Sequence, residues 1–261
     1  RAVSSDHIIP KMIAVDRQGG LDTARQTSGA VYTRAETGLT FNMTQGLARD
    51  VDTWYAINTT SLVSYDLFDA QKAINLTPFA GLPAGVNHCG DGFVLGSLLY
   101  VPIIDWDGTS QTATSQSIVM FNIADLSYNS HFDVSAQGGC NGSALALSVD
   151  KTEIYMTSYY NVGTVDPRTT DIYRYDLATG SFLGVLQLDV GCAGIQGLTW
   201  DGARYWIINS WASPVARMNL YNEALELVDI VDPMYSTSEI EGICEYDSNI
   251  YFHDGGSTVL A

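Results

Sequence analysis

Residues 196–206 read Gln-Gly-Leu-Thr-Trp-Asp-Gly-Ala-Arg-Tyr-Trp. A Gly followed by a short apolar run opens one extended segment, Asp201-Gly202 marks a tight turn, and Tyr205-Trp206 closes a second extended segment. That is the signature of a β-hairpin, and the unit recurs. Gln45-Gly46-Leu47 precedes Trp54-Tyr55, and His88-Cys89-Gly90-Asp91 precedes Leu99-Tyr100. Glu241-Gly242-Ile243 precedes Ile250-Tyr251 across Asp247-Ser248-Asn249, while Ile154-Tyr155 supplies the aromatic pair of the middle unit. The second members of these pairs are 45, 55, 51 and 45 residues apart.

A third strand follows each of the first four pairs and ends on Asp or Asn: Val63–Asp66, Val119–Asn122, Tyr173–Asp176 and Ala216–Asn219. Alternating segments such as Phe182 to Leu188 and Leu225 to Val231 read as a fourth strand. Helical periodicity is nearly absent, and Asp66 to Ile74 is the one stretch that reads as a helical turn. Four short strands repeated at this period, with Gly and aromatic marks in each unit, predict an all-β chain. The expected architecture is a five-bladed β-propeller of four-stranded antiparallel blades forming one domain over 1–261. Its blades cover about 43–85, 86–138, 139–190, 191–235, and 236–261 together with 8–42. Segments around Ala30–Arg34 and Gly38–Phe41 resemble strands of the third unit. They are expected to join the last blade and so close the ring, which removes open edges. The aromatic pairs are read as packing between blades.

The chain has 261 residues, with 12 Lys plus Arg against 29 Asp plus Glu, a formal charge of −17. It has 46% hydrophobic residues, enough for a core and unlike a disordered chain. The acidity excludes nucleic acid as a partner, since no basic surface exists to neutralise phosphates. No run of 18 apolar residues occurs, so membrane insertion is not expected. The chain starts at Arg1, which suits either a removed leader or a fragment. Cys89, Cys140, Cys192 and Cys244 have no C-x-x-C spacing; they are either buried thiols or one or two disulfides in an extracellular protein. Asn42, Asn58, Asn75 and Asn141 lie in N-x-Ser/Thr sequons.

In a propeller the innermost strands start at one end of the axis, beside the loops joining second to third strands. That geometry gathers Gln45, His88, Cys89, Asp91, Gln196, Glu239 and Glu241 at the mouth of a central channel. The third unit contributes Leu145 in one register, or Asn141 and Ser143 in another. The second-to-third loops of units two and three are about ten residues longer than the others, and long loops on a rigid scaffold carry binding residues. They bring Asp105, Trp106 and Asp107, then Tyr159 and Tyr160; later loops bring Trp211, His253 and Asp254. Aromatic rings with Asp and Asn suit stacking on, and hydrogen bonding to, a glycan. The leading expectation is accordingly a secreted or particle-surface binding protein, of virion or bacterial-surface origin. It would recognise a glycan or another extracellular ligand, with a host or particle protein as a further partner.

The alternative is a metal-assisted hydrolase, lyase or cyclase at the channel mouth. His88, Asp91 and Glu241 are its candidate catalytic groups, because a His oriented by a carboxylate serves as base and a shielded Glu as acid. Asp91, Glu239 and Glu241 are the candidate metal ligands. No cofactor is certain; Ca²⁺ is the ion such oxygens suit, and Asp105-x-Asp107-Gly108 has the start of a calcium-loop spacing. A structural or assembly role is the remaining reading. Thr44-Gln45-Gly46-Leu47 resembles the first-blade motif of the plant-type glutaminyl cyclases, a resemblance that implies a propeller of similar length with cyclase chemistry. The second unit carries His88-Cys89-Gly90-Asp91 where that family has Gly-Glu-Gly. The acidic channel mouth is also similar in kind to that of the calcium-dependent lactonase propellers.

Overall fold

Trp54, Tyr55, Ala56 and Ile57 are consecutive and all buried. A strand whose two faces are both covered lies between packed layers, an arrangement shared by the inner strands while the outer ones are half exposed. The computed structural model describes residues 11–16, 33–36, 43–110, 112–137, 142–159, 171–192, 194–209, 217–231 and 240–254. Two strands come first, β1 (Lys11–Asp16) and β2 (Thr33–Glu36). Then come β3 (Gly46–Arg49), β4 (Thr53–Asn58), β5 (Ser61–Asp66) and β6 (Gln71–Asn75). The next sheet holds β7 (His88–Cys89), β8 (Phe93–Leu95), β9 (Leu98–Ile104), β10 (Gln116–Asn122) and β11 (Tyr128–Asp133). A 3₁₀ turn at Ser135–Gln137 leads to β12 (Gly142–Leu147), β13 (Glu153–Ser158), β14 (Asp171–Asp176) and β15 (Phe182–Gln187). The last strands are β16 (Ile195–Trp200), β17 (Tyr205–Asn209), β18 (Arg217–Tyr221), β19 (Leu227–Val231), β20 (Ile240–Tyr246) and β21 (Asn249–Asp254).

The strands pair antiparallel in sequence order, and the last sheet runs β2-β1-β21-β20. The N-terminal strands therefore do join the C-terminal hairpin, with Ile13 opposite Phe252. Of the two segments expected there, Thr33–Glu36 forms β2 and Gly38–Phe41 lies outside the described residues. Neighbouring sheets touch in a cycle around the axis: β3 meets β8 and β20, β20 meets β16, β16 meets β12, and β12 meets β9. The fold is an all-β propeller.

Five uniform four-stranded blades were expected, and this is corrected. Four sheets have four strands, and the β7–β11 sheet has five. Its innermost strand is cut in two by Gly90-Asp91-Gly92, between β7 and β8. The expected helical turn at Asp66–Ile74 is also corrected. Asp66 ends β5, its carboxylate accepts from the Phe68 and Ala70 amides, and the chain returns as β6. The charges at Asp66, Asp69 and Lys72 mimic a helical face but belong to a turn and an outer strand, where water covers one side.

The aromatic pairs are packing residues, as expected: Trp54, Tyr55, Tyr205 and Trp206 are all buried. Their polar atoms explain the hairpin period. Tyr55 donates its hydroxyl to Asp50 at 2.8 Å, and Trp206 donates its indole N–H to Asp201 at 2.7 Å. In both cases the acceptor lies five residues back, in the turn that opens the hairpin. The same carboxylates accept from turn amides, Asp50 from Thr53 and Asp201 from Ala203 and Arg204. Much of the acid excess is thus spent on turns. Cys89, Cys192 and Cys244 are buried free thiols, which removes any disulfide among them; Cys140 lies outside the described residues.

Candidate functional site

Innermost strands of four sheets carry a Gly where neighbouring strands crowd together near the axis: Gly46, Gly90 with Gly92, Gly197 and Gly242. A Cβ on Gly46 would come within 2.7 Å of the Asp91 Cα, and one on Gly242 within 2.6 Å of the Leu47 nitrogen. In the third unit Ala144, opposite Thr157, takes the place that Gly46 takes opposite Ile57 and Gly197 opposite Ile208, so Ser143 aligns with Gln45 and Gln196. Ser143 is buried, its hydroxyl 3.1 Å from that of Thr157, and Asn141 lies outside the described residues.

Immediately outside this glycine level, four expected residues form one hydrogen-bonded row. Gln45 donates its Nε2 to Glu241 Oε2 at 3.2 Å, and Gln196 donates its Nε2 to Glu241 Oε1 at 3.4 Å. The Gln45 Oε1 lies 2.8 Å from His88 Nε2. A carboxylate only accepts, so the Gln45 amide is oriented with its oxygen toward the imidazole, and His88 Nε2 carries the hydrogen. Burial holds the His88 pKa below its ordinary value, so the ring is neutral at neutral pH.

Trp106 extends the row on one side. Its ring centre is 6.5 Å from that of His88 and 5.4 Å from that of Tyr159, edge to face with the latter. Asn87 fixes the Trp106 backbone, accepting from its N–H at 2.9 Å and donating to its carbonyl at 3.0 Å. Sequence reasoning missed Asn87; its signal was its position one residue before His88, opposite the long loop. The mouth therefore gathers Gln45, His88, Trp106, Tyr159, Gln196 and Glu241.

Other expected residues go elsewhere. Asp91 is not at the mouth beside His88: it is fully buried, deeper on the axis. Its Oδ1 accepts from the Leu47 amide at 2.9 Å and its Oδ2 from the Ile243 amide at 3.1 Å, with the Leu198 and Gly92 amides also donating. One carboxylate thereby ties three neighbouring innermost strands to its own. Burial pushes its pKa well up, against the pull of the amides. The break at Gly90-Asp91-Gly92 turns the side chain inward, which a sequence pairing of His88 with Asp91 could not show. Cys89 is likewise buried behind the mouth.

Asp105 and Asp107 organise their own loop. Asp105 accepts from the Thr114 and Ser115 amides and the Thr114 hydroxyl, and Asp107 from the Thr109 amide and Ser110 hydroxyl. Hydrogen bonds from Ser110 and Thr109 hold the Asp107 carboxyl below the usual range. Tyr160, Trp211 and Glu239 lie outside the described residues, as do the side chains of His253 and Asp254. The backbone of Asp254 pairs with Ile240, at the Glu241 end of the molecule. Calcium needs six to eight oxygens. Among the described residues no group of three or more His, Cys, Asp or Glu side chains is arranged to hold a metal, and the expected ligand Glu239 lies outside them. Nor is any described helix long and apolar enough to cross a membrane.

No family model matches the chain, and no curated protein does. Solved structures do. The chain is similar to XC5397 from Xanthomonas campestris, a gluconolactonase, with 14% identity over 85% of this chain and 75% of that one, at a TM-score of 0.51. It is also similar to a protein of unknown function from Bacteroides caccae, with 11% identity over 86% and 74% at a TM-score of 0.48. A luciferin-regenerating enzyme matches with 13% identity over 85% and 94% at a TM-score of 0.44. At such identities, what this chain shares with the gluconolactonase is the β-propeller fold.

Proposed function

We propose that the channel mouth is a recognition site for a small hydroxyl-rich ligand, a saccharide, presented outside the cell. The observation that supports this most is the row His88–Gln45–Glu241–Gln196 lying beside the Trp106 ring. An aromatic face takes the apolar side of a sugar ring, and an adjoining line of carboxylate, amide and imidazole groups takes its hydroxyls. Glu241, already bonded to two amides, acts as acceptor for ligand hydroxyls. No second carboxylate among the described mouth residues shares acid–base work with it, which favours recognition over catalysis.

A glycan array with titration calorimetry tests the proposal. Trp106→Ala is expected to weaken binding by about tenfold, and Glu241→Gln by a similar factor. Both should leave the thermal midpoint within a few degrees, because these side chains lie at the rim. An array without a binder would overturn the reading. The second reading is a hydrolase of cyclic esters, favoured by the fold likeness to a gluconolactonase and by a carboxylate and a neutral imidazole that share the Gln45 amide as hydrogen-bond partner. It requires lactone turnover that Glu241→Gln eliminates.

A further inference from the structure

At the opposite end of the axis, beyond Asp91, lies a half-open cavity of about 390 Å³. All five sheets contribute to its wall through the later halves of their innermost strands. Its size falls within the range of small-molecule sites. Phe93, Leu145, Leu198, Trp200 and Ile243 supply apolar surface.

Arg49 is the distinctive group on this wall. Its guanidinium carbon is 4.2 Å from the ring centre of Trp54, 4.0 Å from that of Tyr246 and 5.3 Å from that of Tyr251. Three rings fix the head group, yet its Nε is buried without a hydrogen-bond partner, and Arg49 makes no ion pair among the described residues. The guanidinium thus has no counter-charge among the described residues, which an anion in the cavity would supply. The acids on the same wall are occupied. Asp201 accepts from two amides and the Trp206 indole and pairs with Arg204 at 3.5 Å, and Glu245 accepts from the Ser248 amide at 2.9 Å. Lys151 adds a second cation at this wall. Two of the chain's 12 basic residues thus meet here although its net charge is −17.

We propose that this cavity is a second binding site, for a small organic anion made of a carboxylate on an apolar body. Arg49 receives the carboxylate through its fork of donors, Lys151 adds long-range attraction, and Trp200 with Leu145 covers the apolar part. The site is independent of the mouth, since Asp91 and the crowded glycine level close the axis between them.

Calorimetry of the intact chain with phenylacetate and its neutral isostere phenylacetamide tests the proposal. Phenylacetate is expected to bind at least about tenfold more tightly. Arg49→Met should abolish that preference, Lys151→Glu should reduce it, and Trp106→Ala at the far end should leave it unchanged. Equal affinities, no binding of phenylacetate, or a preference that survives Arg49→Met would each overturn the site. If Arg49→Met fails to fold, Thr199→Trp on the cavity wall must block phenylacetate, and retained binding overturns the proposal equally.

Discussion

Asp91→Ala is expected to leave little folded protein. The substitution strips an acceptor from the amides of Leu47, Ile243, Leu198 and Gly92 at a place no water reaches. Each buried amide left without a partner costs about 1–3 kcal/mol. A combined loss of about 5 kcal/mol rivals the whole stability of an ordinary domain, about 5–15 kcal/mol. Urea denaturation measures it, and a midpoint equivalent to less than about 1 kcal/mol of loss would show that the amides find other acceptors. Asp91→Asn keeps one oxygen acceptor and is expected to cost less.

The pH dependence of that pair has a definite sign. Burial raises the Asp91 pKa in the folded chain above its ordinary 3.8, so the folded state holds this proton more tightly than the unfolded state. Its contribution is therefore greatest below that value and declines as pH rises through the raised pKa. The advantage of the wild type over Asp91→Asn should be largest in acid and narrow by up to about 1.4 kcal/mol per pH unit. A gap that widens with pH would contradict this. The exposed turn carboxyls Asp107, Asp125, Asp150 and Asp176 behave oppositely. Hydrogen bonds from Ser and Thr lower them, so their stabilisation is present above the ordinary carboxylate value and lost on acidification.

Gly90→Ala is expected to destabilise by about 4 kcal/mol, through overlap alone. Its Cβ would collide with the Ser143 carbonyl oxygen, a backbone atom that itself accepts from the Asp91 amide at 2.8 Å. Relief requires two innermost strands to part, which also disturbs the Asp91 carboxylate. Gly108→Ala is the control. Nothing lies nearer to its Cβ than the Trp106 indole nitrogen at 3.8 Å, and a change of about 0.5 kcal/mol or less is expected. Equal effects at the two positions would show that the strands separate freely.

The propeller was legible because its period is written in strong local signals. A turn Asp and an aromatic residue five positions later bond to each other in two units, so Asp50 with Tyr55 and Asp201 with Trp206 mark the same hairpin. The Gly register likewise aligned Gln45, Gln196 and Glu241, and the structure joins them through hydrogen bonds. What escaped were features set by three-dimensional context. Asp91 looks like a partner for His88 until the interruption between β7 and β8 directs it across the axis. Asp105 and Asp107 look like ligands until loop amides claim their oxygens. The Arg49 cavity left no sequence mark, since its walls are ordinary strand interiors drawn from all five sheets.

The sheet ordered β2-β1-β21-β20 sets a schedule for biosynthesis. Of the described strands, β1 and β2 leave the ribosome before the others, yet their partner β21 follows all the rest. Through most of translation the early hairpin has an unsatisfied edge, and the nascent chain presents adhesive backbone to its neighbours. A chaperone that shields residues 11–36 until residue 254 emerges would raise the yield of native protein, and a circular permutant starting at residue 240 should fold without that help.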